Sequence, residues 1–193
     1  MRIPRDQTQL SGLLRPRLAW IVGFVAVIWA VEVVNTLLGH RLNALGLHPR
    51  TIAGFPGIFL APFLHNGLRH VLANTIPLLV LGSLVLLRGV RAWAELSAFV
   101  IVAGGFAVWL LGRPALHVGA SGLVMGYFGY LLARGWYQRT AGAVLVALAV
   151  LLLYGGALWG LLPLLPGVSW EMHFFGFLAG VLAARLMADD SKP

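Results

Sequence analysis

The sequence predicts an all-α integral membrane protein folded as a bundle of six transmembrane helices, and three observations carry that expectation. Of its 193 residues 60% are hydrophobic and only 10% charged, and the mean hydropathy of +0.88 lies far above the range of soluble globular domains. The apolar residues fall into six runs long enough to span a bilayer, which takes roughly 20 residues at about 1.5 Å each. Basic residues punctuate those runs instead of forming a block.

The runs extend from about Leu18 to Leu38, His70 to Leu87, Trp93 to Leu111, Ser121 to Tyr137, Ala141 to Leu162 and Met172 to Met187, parted by Gly, Pro and Arg. Each is predicted to be helical, because hydrocarbon offers backbone amides no other partner. The resulting organisation is a cytoplasmic tail over residues 1–17, one membrane domain over 18–187 and a second cytoplasmic tail over 188–193. The longest connection, Gly39 to Arg69, is apolar but interrupted by Pro56 and Pro62, so it is expected to lie in the outer interface without crossing. The fourth run follows Gly112-Arg113-Pro114, and the irregular stretch from Arg113 to Ala120 is expected to sit at membrane depth beside a wet cavity. Pro77 predicts a kink in the second helix, and Trp93, Trp136 and Trp170 are read as interfacial anchors.

The formal charge of +8 does not indicate nucleic acid, since there is no basic stripe. With the N-terminus inside, ten of the fourteen Lys and Arg fall on the cytoplasmic side, against Arg41, Arg50, Arg69 and Arg113 outside. That bias places both termini in the cytoplasm. Basic residues that are almost all arginine, with abundant Ala, Gly, Leu and Val, suit a GC-rich bacterial genome and hence the bacterial inner membrane. The chain has no cysteine, which excludes disulfides, thiolate metal sites and a cysteine nucleophile.

The even-numbered runs all start from the outer face, and each carries distinctive polar residues near that end: His70 and Asn74, Ser121, and His173. Polar groups are costly in hydrocarbon and normally face the bundle interior or water, so agreement in depth marks a site. His70 and Asn74 lie one turn apart on one helix face, while Arg69 and Thr75 point elsewhere. Gly119-Ala120-Ser121-Gly122 sets a serine among glycines, allowing close approach to its hydroxyl and backbone N–H. Gly176 and Gly180 share the His173 face and match Gly122 and Gly126, a small-residue pairing that brings Ser121 toward His173. A neutral histidine can take the serine proton, and His70, the Asn74 amide and the Ser121 N–H are the donors for an oxyanion. Glu171 is on another helix face and Glu32 and Glu95 are in odd-numbered runs, so a dyad is expected, not a triad.

His65-x4-His70-x3-Asn74, Gly119-Ala-Ser121-Gly122 and His173-x2-Gly176-x3-Gly180 together resemble the three signatures of rhomboid intramembrane serine proteases, over roughly His65 to Arg185. Ser169-Trp170 resembles the usual approach to that family's histidine. The resemblance implies a six-helix rhomboid-like fold opening outward. It makes Ser121 the nucleophile and His173 the base, with His70 and Asn74 at the oxyanion hole. It also implies transmembrane protein substrates, no metal or organic cofactor, and lateral substrate access gated by the fifth helix. Three positions depart from the pattern. The external loop lacks a Trp-Arg pair, Met125 stands where an aromatic ring usually underlies the histidine, and Leu86-Leu87-Arg88 replaces an acidic residue. Met125 is expected to support His173 through its thioether. A catalytically silent rhomboid-like protein that binds membrane helices, and a proton-conducting transporter using His70 and His173, are the competing expectations. His65 is given a structural role at the loop entrance, Glu32 a place near the outer boundary, and His40, His48 and His117 none.

Overall fold

The structure, a computed structural model, describes residues 7–164 and 167–188, with side chains from residue 16 onward. Helix α1 runs Gln7–Leu37, a short α2 Gly57–Leu60, and α3 Leu68–Leu86. Helix α4, Val90–Phe99, passes through a π turn at Val100–Gly104 into α5, Gly105–Leu111. Helices α6 (Ser121–Gln138), α7 (Ala141–Tyr154) and α8 (Trp170–Leu186) complete the bundle, with a 3-10 extension of α7 over Gly155–Leu161. No strand forms among the described residues; one isolated antiparallel bridge joins Leu47 to His117.

Among the described residues four helical segments are long and apolar enough to cross a membrane: Pro16–Leu37, Leu68–Leu86, Val90–Leu111 and Ala141–Leu161. Helices α6, of 18 residues, and α8, of 17, are shorter and pack inside the bundle. All six predicted runs are helical, and most ends agree within about three residues. Helix α1 differs: it begins at Gln7, inside the stretch expected to be a tail, and carries Pro16 within it. The predicted tail residues 1–6 and 189–193 lie outside the described residues.

Helix α6 is the axis of the molecule, with every residue from Gly122 to Leu131 buried. Its most extensive partner is α8, and the reason is the glycine surface. A Cβ built on Gly176 would overlap the Gly122 carbonyl, and one on Gly180 would overlap that of Gly126. Inside a bilayer, lipid tails are as apolar as leucine, so such close backbone contact and its dispersion energy hold helices together in place of the hydrophobic effect. Helix α7 is at the other extreme, with only 11% of its spanning window buried. Leu145, Leu148, Leu152 and Leu153 are exposed on it, a surface that water would not tolerate and lipid accommodates.

Polar bonds tie several of the other buried groups together. Trp29 Nε1 donates to Thr75 Oγ1 at 3.0 Å, tying α1 to α3, so Thr75 does point away from the His70 face. The Tyr127 hydroxyl meets Ser97 Oγ at 2.6 Å, and Ser97 donates to the Trp93 carbonyl at 2.6 Å. Trp93 corrects an expectation: it is 7% exposed and stands edge-on to Phe24 in the core, so it is no interfacial anchor. Trp136, 71% exposed, fits that role.

The long connection does not span. It folds as two 3-10 turns, Arg41–Leu45 and Ala61–Phe63, around α2. A buried carboxylate holds it to α1: Glu32, 0% exposed, accepts from the Gly67 N–H at 2.8 Å and from Thr36 Oγ1 at 3.5 Å. One turn on, Asn35 Nδ2 donates to Asn43 Oδ1 at 2.9 Å and to the His65 carbonyl at 3.1 Å. Its Oδ1 accepts from the Leu42 N–H at 3.1 Å.

Candidate active site

The N-terminal ends of α3, α6 and α8 meet the C-terminal end of α7 around one open cavity of about 850 Å³. His70, Asn74, Ser121, Met125 and His173 all line it, so the polar residues singled out in the sequence share one space.

Ser121 is the first residue of α6, and the position before it, Ala120, caps the helix without a side-chain bond. A serine at a helix start commonly spends its hydroxyl on capping; here the hydroxyl makes no hydrogen bond among the described residues and faces the cavity. The loop ahead is held in place by Gly119 N–H donating to the Ala61 carbonyl at 2.9 Å and by Ala120 N–H donating to His65 Nε2 at 3.3 Å. Gly119 has φ +115°, and a Cβ there would stand 2.6 Å from His70 Nε2. Only glycine fits, on both grounds.

The two site histidines have opposite nitrogen assignments, read from their partners. His173 Nδ1 lies 3.1 Å from the Gly160 carbonyl, an acceptor, so that nitrogen carries the proton and Nε2 keeps a free lone pair. The missing side chain at Gly160 permits this, since a Cβ would sit 2.7 Å from the ring nitrogen. His70 Nδ1 instead accepts from the Asn66 N–H at 3.4 Å, which leaves Nε2–H as a donor beside Gly119. Asn74 Nδ2 spends one hydrogen on the His70 carbonyl at 3.1 Å, keeping the other available. Steadying of His173 comes from the Gly160 carbonyl, while Met125 is buried on the cavity wall. Ser121 and His173 face the same cavity with no hydrogen bond joining them.

Several contributors were not foreseen. His117 is 1% exposed, with Nδ1 2.6 Å from Ser169 Oγ; no periodicity in a loop could announce that partner. Glu171, 2% exposed, pairs with Arg113 at 3.2 Å. His65 has the structural place assigned to it, fully buried, edge-on to His70 with ring centroids 4.9 Å apart. Burial lowers the His117 pKa, with the Arg113 carbonyl and Glu171 opposing and the Arg113 and His48 charges adding to the fall.

Burial, and secondarily the His70 imidazole, hold His65 down to about 4, against an opposing Phe63 carbonyl. The unfolded imidazole titrates at 6.5, so between these values the unfolded state binds more protons. Stability is therefore complete above pH 6.5 and lost as pH falls toward 4, by on the order of 3 kcal/mol. Thermal melts across that window are expected to show a fall that flattens in His65→Gln, whose amide can still accept from Ala120.

This is a polytopic helical membrane protein with an open pocket, where several polar side chains meet, set in one end of its bundle. The sequence matches the Rhomboid domain over residues 54–189. It is 40% identical, over an alignment of 202 residues covering 97% of this chain and 82% of each relative, to uncharacterized proteins of Mycobacterium bovis and Mycobacterium tuberculosis. An uncharacterized protein of Mycobacterium leprae is 39% identical over 187 residues, covering 89% of this chain and 74% of the relative. The chain belongs to the rhomboid family.

Proposed function

We propose that the protein is an intramembrane serine endopeptidase that cleaves transmembrane-helix substrates through a Ser121–His173 dyad. The observation that carries this reading is the pair of opposed imidazoles around an uncapped serine hydroxyl: His173 presents a lone pair and His70 presents an N–H to one cavity. Ser121 Oγ attacks the scissile carbonyl carbon while its proton passes to His173 Nε2. The oxyanion accepts hydrogen bonds from His70 Nε2–H, the Asn74 amide and the Ser121 backbone N–H. Collapse expels the amine, which takes the proton from His173 and leaves an acyl-enzyme. Water, deprotonated by the same imidazole, then releases the carboxylate and restores the serine.

Counting α6 and α8 with the four long segments gives six spans, with the cavity open to the outer face and both termini in the cytoplasm of a bacterial inner membrane. The basic residue bias supports that orientation. A fluorophosphonate probe is expected to label the protein at Ser121, and labelling is expected to vanish in Ser121→Ala and His173→Ala. Undiminished labelling or cleavage in Ser121→Ala would remove the reading, and a wild-type protein without turnover would favour one that holds membrane helices without cutting them. His70→Ala and Asn74→Ala are each expected to slow cleavage of a reporter in liposomes by about 10²-fold, the usual effect of losing one oxyanion donor. Full activity in the double variant would exclude both from that role.

A further inference from the structure

His117 stands four residues before Ser121, and Ser169 four residues before His173. The structure joins them across the cavity rim at 2.6 Å. Ser169 caps α8 by accepting the Met172 N–H at 3.3 Å, so its own hydrogen is free for His117 Nδ1. The other ring nitrogen, Nε2–H, donates to the Arg113 carbonyl at 3.3 Å. His117 is itself fixed, because its N–H and carbonyl pair with Leu47 at 2.9 and 3.0 Å.

A second set of bonds runs the same way. Arg113 meets Glu171 Oε1 through Nε at 3.2 Å and through its backbone N–H at 3.3 Å, and its guanidinium donates to the Val168 carbonyl at 2.8 Å. Both sets connect the loop that feeds Ser121 to the turn that starts the His173 helix.

Below this level α6 and α8 touch through glycines, whose smooth surfaces set separation but resist sliding and rotation weakly. Hydrogen bonds are directional and restrain those motions. We infer that His117 and Ser169 are positioning residues whose hydrogen bond, backed by the Arg113–Glu171 pair, registers the nucleophile-bearing helix against the base-bearing one. This rests on the proposed peptidase function and adds to it a pair that acts through Ser121 and His173 and not on the reacting atoms.

The test is steady-state cleavage of a transmembrane reporter by the full chain in liposomes, with Ser169→Ala, His117→Ala, both together, and Ser169→Thr. Each single alanine variant is expected to lower kcat by about 10- to 100-fold with KM within about twofold, the scale of a small misalignment of reacting groups. The double variant is expected to be no slower than the slower single one, because the two residues act as one unit. Ser169→Thr, which keeps both the cap and the hydroxyl, is expected to return kcat to within about threefold of wild type. Histidine ¹⁵N spectra are expected to show His117 protonated at Nε2 with Nδ1 accepting, a signature changed in Ser169→Ala. Unchanged kcat in both singles, effects that multiply in the double, or losses that follow only a smaller folded fraction would overturn the inference. A wild-type protein that fluorophosphonate fails to label at Ser121 would remove the peptidase reading and this inference with it. Labelled wild type beside unaffected variants would remove this inference alone.

Discussion

Ser121→Ala is expected to depress reporter cleavage by about 10⁴-fold or more while leaving the thermal midpoint nearly unmoved, an effect of the size seen when a nucleophile or its base is deleted. The two halves of that result have separate causes. The hydroxyl makes no hydrogen bond among the described residues, since Ala120 supplies the cap position and Ser121 begins the helix proper. Its removal therefore orphans nothing, and alanine is the better helix former, so a stability change within about 0.5 kcal/mol is expected. His173→Ala is expected to match Ser121→Ala in rate, and the double variant to be no worse than either, because a nucleophile without its base is as ineffective as a base without its nucleophile. Loss of His173 should also register structurally, since the Gly160 carbonyl loses its partner. Cleavage assays beside thermal melts on the same preparations check all of this. A Ser121→Ala protein that both melts early and loses activity in proportion would point to a folding defect instead.

Gly180→Leu is expected to give the largest loss of stability, above about 3 kcal/mol, with activity falling in parallel. Even the first added carbon would overlap the Gly126 carbonyl and stand 2.9 Å from the Tyr130 nitrogen. Those are backbone atoms on the central helix, which cannot swing aside as a side chain would. Inserting one methylene into a well-packed contact typically costs about 1–3 kcal/mol, and leucine adds four carbons. Helices α6 and α8 must then part, and Ser121 and His173 part with them. Gly176→Val is expected to act similarly through the Gly122 carbonyl. Gly23→Ala and Gly142→Ala are the controls: a Cβ at either meets nothing within 4 Å, and both positions are helical, so neutrality or a gain up to about 1 kcal/mol is expected. Melts of the four variants separate the two groups; equal behaviour would deny the glycine contact its role.

That contact was legible in the sequence because helical spacing alone puts His173, Gly176 and Gly180 on one face. The membrane segments were legible for a similar reason: apolar runs of spanning length have few other fates. Both readings depend on local periodicity. The His117–Ser169 pair spans 52 residues and the Glu32–Gly67 bond 35, and neither partner sits in a repeating pattern that would betray the other. Trp93 was misplaced for the opposite reason. A tryptophan close behind Arg91 at a helix start fits the interfacial profile, and only the packing of Phe24 against it shows otherwise. The tautomers of His70 and His173 were equally beyond the sequence, since each depends on a loop group, the Asn66 N–H or the Gly160 carbonyl.

The family match begins at residue 54, yet α1 ends at Leu37. Trimming the chain to the matched portion would strip the Gly67 amide of Glu32 and the His65 carbonyl of Asn35, at the very turn that delivers His70. The first helix is thus a keystone of the pocket and not a detachable anchor. A fragment that keeps the pocket intact has to start before it, and a truncated protein that assembles in lipid should still carry a slack, misaligned entrance to α3.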